Sequence, residues 1–178
     1  TKSTVVAYQE NNTDIHLMRV GITDHTKAPE IYHYENPTII EFNNILQFLK
    51  DYKSSDGRPL TKWRDLTISH TAASSLNNSK SNDFNTFLSE LKQWAGTKGK
   101  KLKIKDKKDF VLDIDAFLDI KEEDFNPIEI YAYMLGLNIN NQRNGIYLNY
   151  ILSFPVTYEL EIRDKIIESF KRGIKKSL

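Results

Sequence analysis

Cysteine is absent from this chain of 178 residues, which excludes disulfides, thiolate catalysis and thiolate metal ligation. Zinc would have only histidine and carboxylates to use, and the four histidines are scattered, with no pair at ligand spacing. No apolar run is long enough to span a membrane. The beginning lacks the basic-then-apolar order of a secretory signal, so a cytoplasmic location is the expectation. Glycine is sparse and forms no phosphate-cradling loop, and no Ser, His and Asp stand at the spacing of a known triad motif. No catalytic residue is assigned, and no metal or cofactor site. A formal net charge of +1 selects no partner by sign. What the chain does have is 39% apolar and 28% charged residues, the balance of a globular protein with a real core. It begins with Thr1 rather than methionine and ends at Leu178 directly after a helix stop, so a piece of a longer protein is expected.

The most organised stretch runs from Tyr147 to Ser177. Its first part, Tyr147–Phe154, is a continuous apolar and aromatic run that predicts a strand buried on both faces. Pro155 stops it, because proline cannot donate to the ladder. Ile162, Ile166, Phe170 and Ile174 then recur every four residues, as on one helix face. Glu159 and Glu161 in the first turn, Lys171 and Arg172 in the last, suit the helix dipole, with Gly173 as the expected C-cap.

Upstream, Val5–Tyr8 and His16–Val20 read as a hairpin around the turn residues Asn11 to Asp14. His25 and His33 fall in a polar stretch around Pro29 that reads as loop. Asn36-Pro37 has the look of a helix start, and Ile39, Phe42, Ile45, Leu46, Leu49 and Tyr52 continue one apolar face. Leu66–His70 suggests a short strand and Ser74–Asn82 a loop. A second helix is expected from a cap at Ser81 or Asn82, through Phe84, Phe87, Leu88, Leu91 and Trp94, ending at Gly96. The third has the clearest start: Asn126 as N-cap, Pro127 first, Glu129 third, with Phe125 and Ile130 placed for a hydrophobic staple. Its buried face would carry Tyr131, Met134 and Leu135, with a loop over 138–145.

Lysine dominates Lys98–Lys108, where Leu102 and Ile104 alternate as on an exposed strand. Phosphate binding is one use of such a segment. Carboxylates follow at once, among them Asp109, Asp113 and Asp115, so a self-neutralising, solvated surface is preferred and no nucleic acid is expected. The acidic run lacks the spacing of a calcium loop, and Asp113 and Asp115 are expected to face solvent. Pro155 and Arg163 stand apart by placement. The arginine lies eight residues after the proline, in the first turns of the next helix, near a strand end of the kind where ligands bind in α/β sheets. The plainer reading is a strand-stopping proline and a surface arginine paired with Glu159.

Taken together, Pro127-Ile128-Glu129-Ile130, the strand closing at Phe154-Pro155, Arg163 and Gly173 resemble the ATPase domain of DnaK-type heat-shock chaperones. That family carries a Pro-Glu-Glu-Ile helix start, a strand ending Val-Pro-Ala-Tyr-Phe, an arginine eight residues after the proline, and a helix ending near Ala-Gly-Leu. Ser3-Thr4-Val5-Val6-Ala7-Tyr8 is similar to its Pro-Ser-Val-Val-Ala-Phe strand, and Val20-Gly21 to the Val-Gly that follows. The likeness is good over Phe125–Leu178, fair over Ser3–Gly21 and weak between. Val156-Thr157-Tyr158-Glu159 departs from the family's Ala-Tyr-Phe-Asn, and for the catalytic lysine only Lys50 and Lys53 are candidates.

The resemblance implies an α+β fold with a mixed sheet and three principal helices, a fragment of an actin-like (ribonuclease H-like) ATPase lobe. Residues 1–124 would be a divergent outer subdomain and 125–178 part of the inner one. It implies a parent that couples ATP and magnesium to an attached client- or partner-binding domain, with the phosphate loops and adenosine site outside this segment, which alone would bind no nucleotide. Pro155 and Arg163 would pass nucleotide state to the attached domain as an allosteric switch. A self-standing protein-interaction module that kept the fold without the nucleotide is the alternative. Self-association through 147–154 is a further expectation, since a strand outside its sheet offers an open edge.

Overall fold

Asn36 turns inward instead of capping a helix. In the computed structural model, which describes residues 2–21, 26 and 30–178, its side chain is fully buried. It accepts from Val20 N at 2.7 Å and donates to the Met18 carbonyl at 3.0 Å. The residues expected as one helix are therefore strand β4 (Asn36–Pro37), strand β5 (Ile40–Phe42) and a shorter helix, α1 (Ile45–Tyr52). Ile39 and Ile40 are both buried, which a strand between two layers permits and a surface helix does not. The N-cap of α1 is Asn44, whose side chain accepts from Gln47 N at 3.2 Å.

The other strands are β1 (Ser3–Thr4), β2 (Val6–Tyr8), β3 (His16–Met18), β6 (Leu66–Ile68), β7 (Phe87–Leu88), β8 (Leu102–Lys105) and β9 (Val111–Ile114). β2 and β3 form the expected hairpin, with Asn11 and Asn12 at φ 48° and 60° in its turn. The sheet expected to be mixed is instead several small sheets, and every pairing among the described residues is antiparallel. The largest has the order β6-β5-β7, with Ile40 opposite both Ile68 and Leu88. The architecture is α+β.

Three more expectations change. The first four residues of the Ser- and Asn-rich stretch expected as loop, 74–77, lie instead in helix α2 (Ser69–Asn77); the helix's buried residues, Ser69 and Ala72, are too small to leave a hydrophobic period. The helix expected from Ser81 to Trp94 is broken into a 3-10 turn (Ser81–Thr86), β7 and a short α3 (Leu91–Ala95), because Phe87 and Leu88 pair with the open side of β5. Gly96 does end α3. His33 lies in a 3-10 turn, Ile31–Tyr34, rather than loop; His25 and Pro29 fall outside the described residues.

The C-terminal third is two long helices, α4 (Pro127–Arg143) and α5 (Leu160–Ser177). Asn126 caps α4 as expected, accepting from Ile128 N at 3.0 Å and Glu129 N at 3.3 Å. Glu129 does not reach back to the cap. It accepts from the Tyr52 hydroxyl and from Arg172 Nε, each at 2.8 Å, and so joins α1, α4 and α5. α4 continues through 138–143, expected as loop, until Asn144 at φ 49° ends it. The hydrophobic core is continuous across the 124/125 boundary, with Phe42 and Phe125 rings 6.1 Å apart.

Gly173 is not a helix end. It is buried inside α5, where an added Cβ would lie 2.3 Å from the Glu129 carbonyl oxygen and 2.8 Å from Tyr133 N. Glycine is needed because the two backbones touch. Asn126 Nδ2 donates to Ser169 Oγ at 2.9 Å, Glu129 meets Arg172, and Gly136 faces Ser177, so contacts advance together along both helices. α4 and α5 therefore run side by side in the same direction.

Candidate functional site

Two helices that run the same way need a return, and residues 144–159 provide it. The sequence predicts a buried strand over Tyr147–Phe154; the structure forms no strand there. Leu148, Tyr150, Ile151 and Leu152 are exposed, Ile151 completely. Among the described residues, nothing hydrogen-bonds to the backbone of 148–154. The physical reason is the lack of a neighbouring strand: an apolar segment becomes a sheet interior only when ladders lie on both sides.

The segment is held at its two ends. At the first, the Tyr147 hydroxyl donates to Glu10 Oε1 at 2.5 Å, and Arg143 grips the same carboxylate with Nε at 3.0 Å and Nη2 at 3.1 Å. These bonds hold the Glu10 carboxyl below its ordinary range. The Arg143 guanidinium also lies 4.8 Å from the Tyr8 ring centre. At the second end, the Tyr158 hydroxyl donates to the Lys92 carbonyl at 3.2 Å, and Glu159 pairs with Lys98 at 2.5 Å.

Between these anchors the segment roofs a mostly apolar cavity of about 90 Å³, whose lining includes Phe154, Pro155 and Tyr158 above and Thr38, Tyr131 and Ile166 below. Tyr131 is 1% exposed and its hydroxyl makes no well-formed hydrogen bond. Burial pushes its phenol up, and the nearby Thr4 and Thr38 hydroxyls, 2.8 Å from each other, only partly oppose that. Pro155 is thus part of this roof. Arg163 is exposed on α5, does not line the cavity, and Glu159, its expected partner, is paired with Lys98 instead. Lys50 and Lys53 lie exposed at the end of α1, also away from the cavity.

The lysine-rich segment pairs with its own acids: Lys101 with Asp115 and Lys103 with Asp113 across the β8–β9 hairpin, each at 3.9 Å, and Lys105 with Asp109 in its turn at 2.9 Å. Asp113 and Asp115 face solvent as expected. Asp106 has a different role. It is 1% exposed and accepts from the amides of Ile45, Lys108 and Phe110.

A polar groove of about 350 Å³, lined by Asn43, Asn44, Gln47, Lys62, Arg64, Asp65 and Lys108, was not foreseen. Its only signal in the sequence is the Lys62-Trp63-Arg64 triplet in a turn. Among the described residues no group of three or more His, Cys, Asp or Glu is placed to hold a metal ion, and no helix is long and apolar enough to cross a membrane. No protein-family model matches the sequence, and no curated protein matches it.

Proposed function

We propose that this chain is part of a chaperone-like, actin-fold ATPase, with residues 1–124 in an outer subdomain and 125–178 in an inner one. The parent, cytoplasmic in this reading, would couple ATP and magnesium to an attached client- or partner-binding domain. The observation that carries the reading is the return between α4 and α5. Its residues are those of a strand buried on both faces, yet here they are exposed and unpaired between parallel helices. Parallel strands are joined by a helix that crosses over. By the same geometry, two parallel helices joined by an extended apolar return form an α–β–α unit whose strand awaits its sheet. Further strands of a larger protein would supply that sheet. Pro155 and Arg163 would then sit at the strand end and on the following helix, where a nucleotide-dependent shift of α5 could be passed outward.

Hydrogen exchange and calorimetry test this. In the parent protein the amides of 147–154 are expected to be strongly protected and ATP with magnesium to bind. In this chain alone the same amides exchange freely and no micromolar nucleotide binding occurs. Micromolar binding by the isolated chain would contradict the division of the site. The same exposed segment also supports the second reading, a self-standing interaction module. A strand outside its sheet leaves an open edge in either reading, so self-association through 147–154 is expected, and a monomer in sedimentation at high concentration would count against that expectation.

A further inference from the structure

One face of the β5–β6 pair is lined with acceptors that have no donor. Opposed residues of an antiparallel ladder point to the same side. The register sets Glu41 opposite Thr67, and Asn43 N donates to the Asp65 carbonyl at 3.1 Å one step further on. Ile40, Phe42, Leu66 and Ile68 take the other face into the core. On the polar face, Glu41 Oε2, Asn43 Oδ1, Asp65 Oδ2 and Thr67 Oγ1 are buried with no hydrogen-bond partner. Lys107 reaches Glu41 from outside, at 3.5 Å from Oε1. Leaving buried acceptors empty is costly, and four on one face are more than ordinary packing leaves behind.

Two of them, Asn43 and Asp65, line the 350 Å³ groove, and Asp65 is only 5% exposed. Lys62, Arg64 and Lys108 line it too, and none of the three makes an ion pair among the described residues. Three cations against one carboxylate leave a surplus of two positive charges, which suits the charge of about −1.5 to −2 on a phosphate monoester at neutral pH. The start of α1 does not supply the anion site: Asp106 already accepts from Ile45 N and Asn44 from Gln47 N.

We propose that this groove binds a sugar phosphate, with the sugar hydroxyls donating to the Asp65 carboxylate and the phosphate held by Lys62, Arg64 and Lys108. A carboxylate is an acceptor for hydroxyl donors, and Arg64 can grip two phosphate oxygens at once. The groove lies in residues 1–124 and shares no lining residue with the cavity under Pro155, so its fate is separate from that of the ATPase reading.

The chain has two tryptophans, the fully buried Trp94 and the half-exposed Trp63, which does not line the groove but stands between two residues that do, Lys62 and Arg64, so a ligand held by those two is expected to change its fluorescence. Titration with glucose 6-phosphate, with calorimetry in parallel, is expected to saturate in the sub-millimolar range. Inorganic phosphate should bind at least about tenfold more weakly, and glucose not measurably. Arg64→Gln and Lys108→Gln, both at exposed positions, should each weaken glucose 6-phosphate by about tenfold. Asp65→Asn should reduce the preference for glucose 6-phosphate over inorganic phosphate. Absence of saturable binding, equal affinity for inorganic phosphate, or binding undiminished in Arg64→Gln would overturn the assignment.

Discussion

At Gly173 the backbones of α4 and α5 come so close that a β-carbon would stand 2.3 Å from the Glu129 carbonyl oxygen, whereas Ile151, in the segment joining the same two helices, is fully exposed. Both regions are rich in apolar residues, so hydrophobicity does not separate them. What separates them is whether a surface of complementary shape is within reach. Along the helix seam this chain supplies both sides: small residues (Gly136, Gly173, Ser177) face backbone or side chain of the partner helix, and Asn126 with Ser169 and Glu129 with Arg172 satisfy the polar atoms trapped between. Along 148–154 it supplies one side only. The hydrophobic effect favours burial in proportion to area, but it cannot direct a segment into a sheet that is not there.

Substitution at Gly173 should have the largest effect. Gly173→Leu is expected to prevent the helices from docking, seen as loss of the cooperative urea transition. Gly173→Ala is the sharper experiment, because two effects oppose each other. Alanine is favoured over glycine inside a helix by about 1 kcal/mol. Its methyl would, however, meet backbone atoms of α4, which cannot rotate away, and such overpacking costs about 1–3 kcal/mol and occasionally more. A net loss of up to about 2 kcal/mol is expected in urea denaturation. At Gly136 the nearest atoms belong to the Ser177 side chain, so Gly136→Ala should cost less. A stabilised Gly173→Ala would mean that the helices do not touch as described.

Asn126→Ala comes next. It removes the acceptor for Ile128 N and Glu129 N and the donor to Ser169, in a place water does not reach. Loss of a helix cap typically costs about 1 kcal/mol and up to about 2, and a fall of about 2 kcal/mol in unfolding free energy is expected.

How legible the sequence was divides along the same line. The cap at Asn126, the hairpin turn at Asn11-Asn12 and the periodic face of α5 are local signals, and local physics delivers them. The Asn36-Pro37 start misleads because the amide of Asn36 serves the backbone of Val20 and Met18, a partner far along the chain. Glycine at 173 reads as a helix end from sequence, since a C-cap and a close crossing both call for a missing side chain; only the position of α4 distinguishes them. The groove was hidden for a similar reason. Lys62, Arg64 and Lys108 are far apart in sequence from Asn43, and antiparallel pairing of β5 with β6 is what brings Asp65 beside it. Of the residues singled out beforehand, Pro155 falls on a cavity and Arg163 does not.

In the joining segment a far smaller effect is expected. Ile151→Asp changes a fully exposed residue, and in this chain it should alter stability by less than about 0.5 kcal/mol. Made in a parent protein whose sheet buries the segment, the same substitution would place a charge between two layers and should prevent folding or solubility. The contrast between the two settings separates a strand without its sheet from a plain surface loop. Equal, negligible effects in both would make it a loop.

The weakest contribution expected is that of the anchor at the start of the segment, and it is readable by pH. Arg143 and Tyr147 hydrogen bonds hold the Glu10 carboxyl below its ordinary value, and Glu10 is only partly buried, so solvent screens the interaction. A carboxylate whose pKa is lowered by folding stabilises the folded form above its unfolded pKa, and that contribution disappears as pH falls through the lowered value. Acidification should therefore loosen the Tyr147 end of the segment, while the Asn126–Ser169 and Gly173 contacts of the helix seam, which carry no ionisable group, stay closed. Tyr147 and Arg143 side-chain NMR signals followed from neutral to acidic pH should report a carboxylate titrating below the ordinary glutamate value, and Glu10→Gln should abolish that titration. The Asn126 and Ser169 signals should not move over the same range. If they moved with Tyr147, the seam and the segment would be one cooperative unit, and the difference in packing between them would carry no difference in stability.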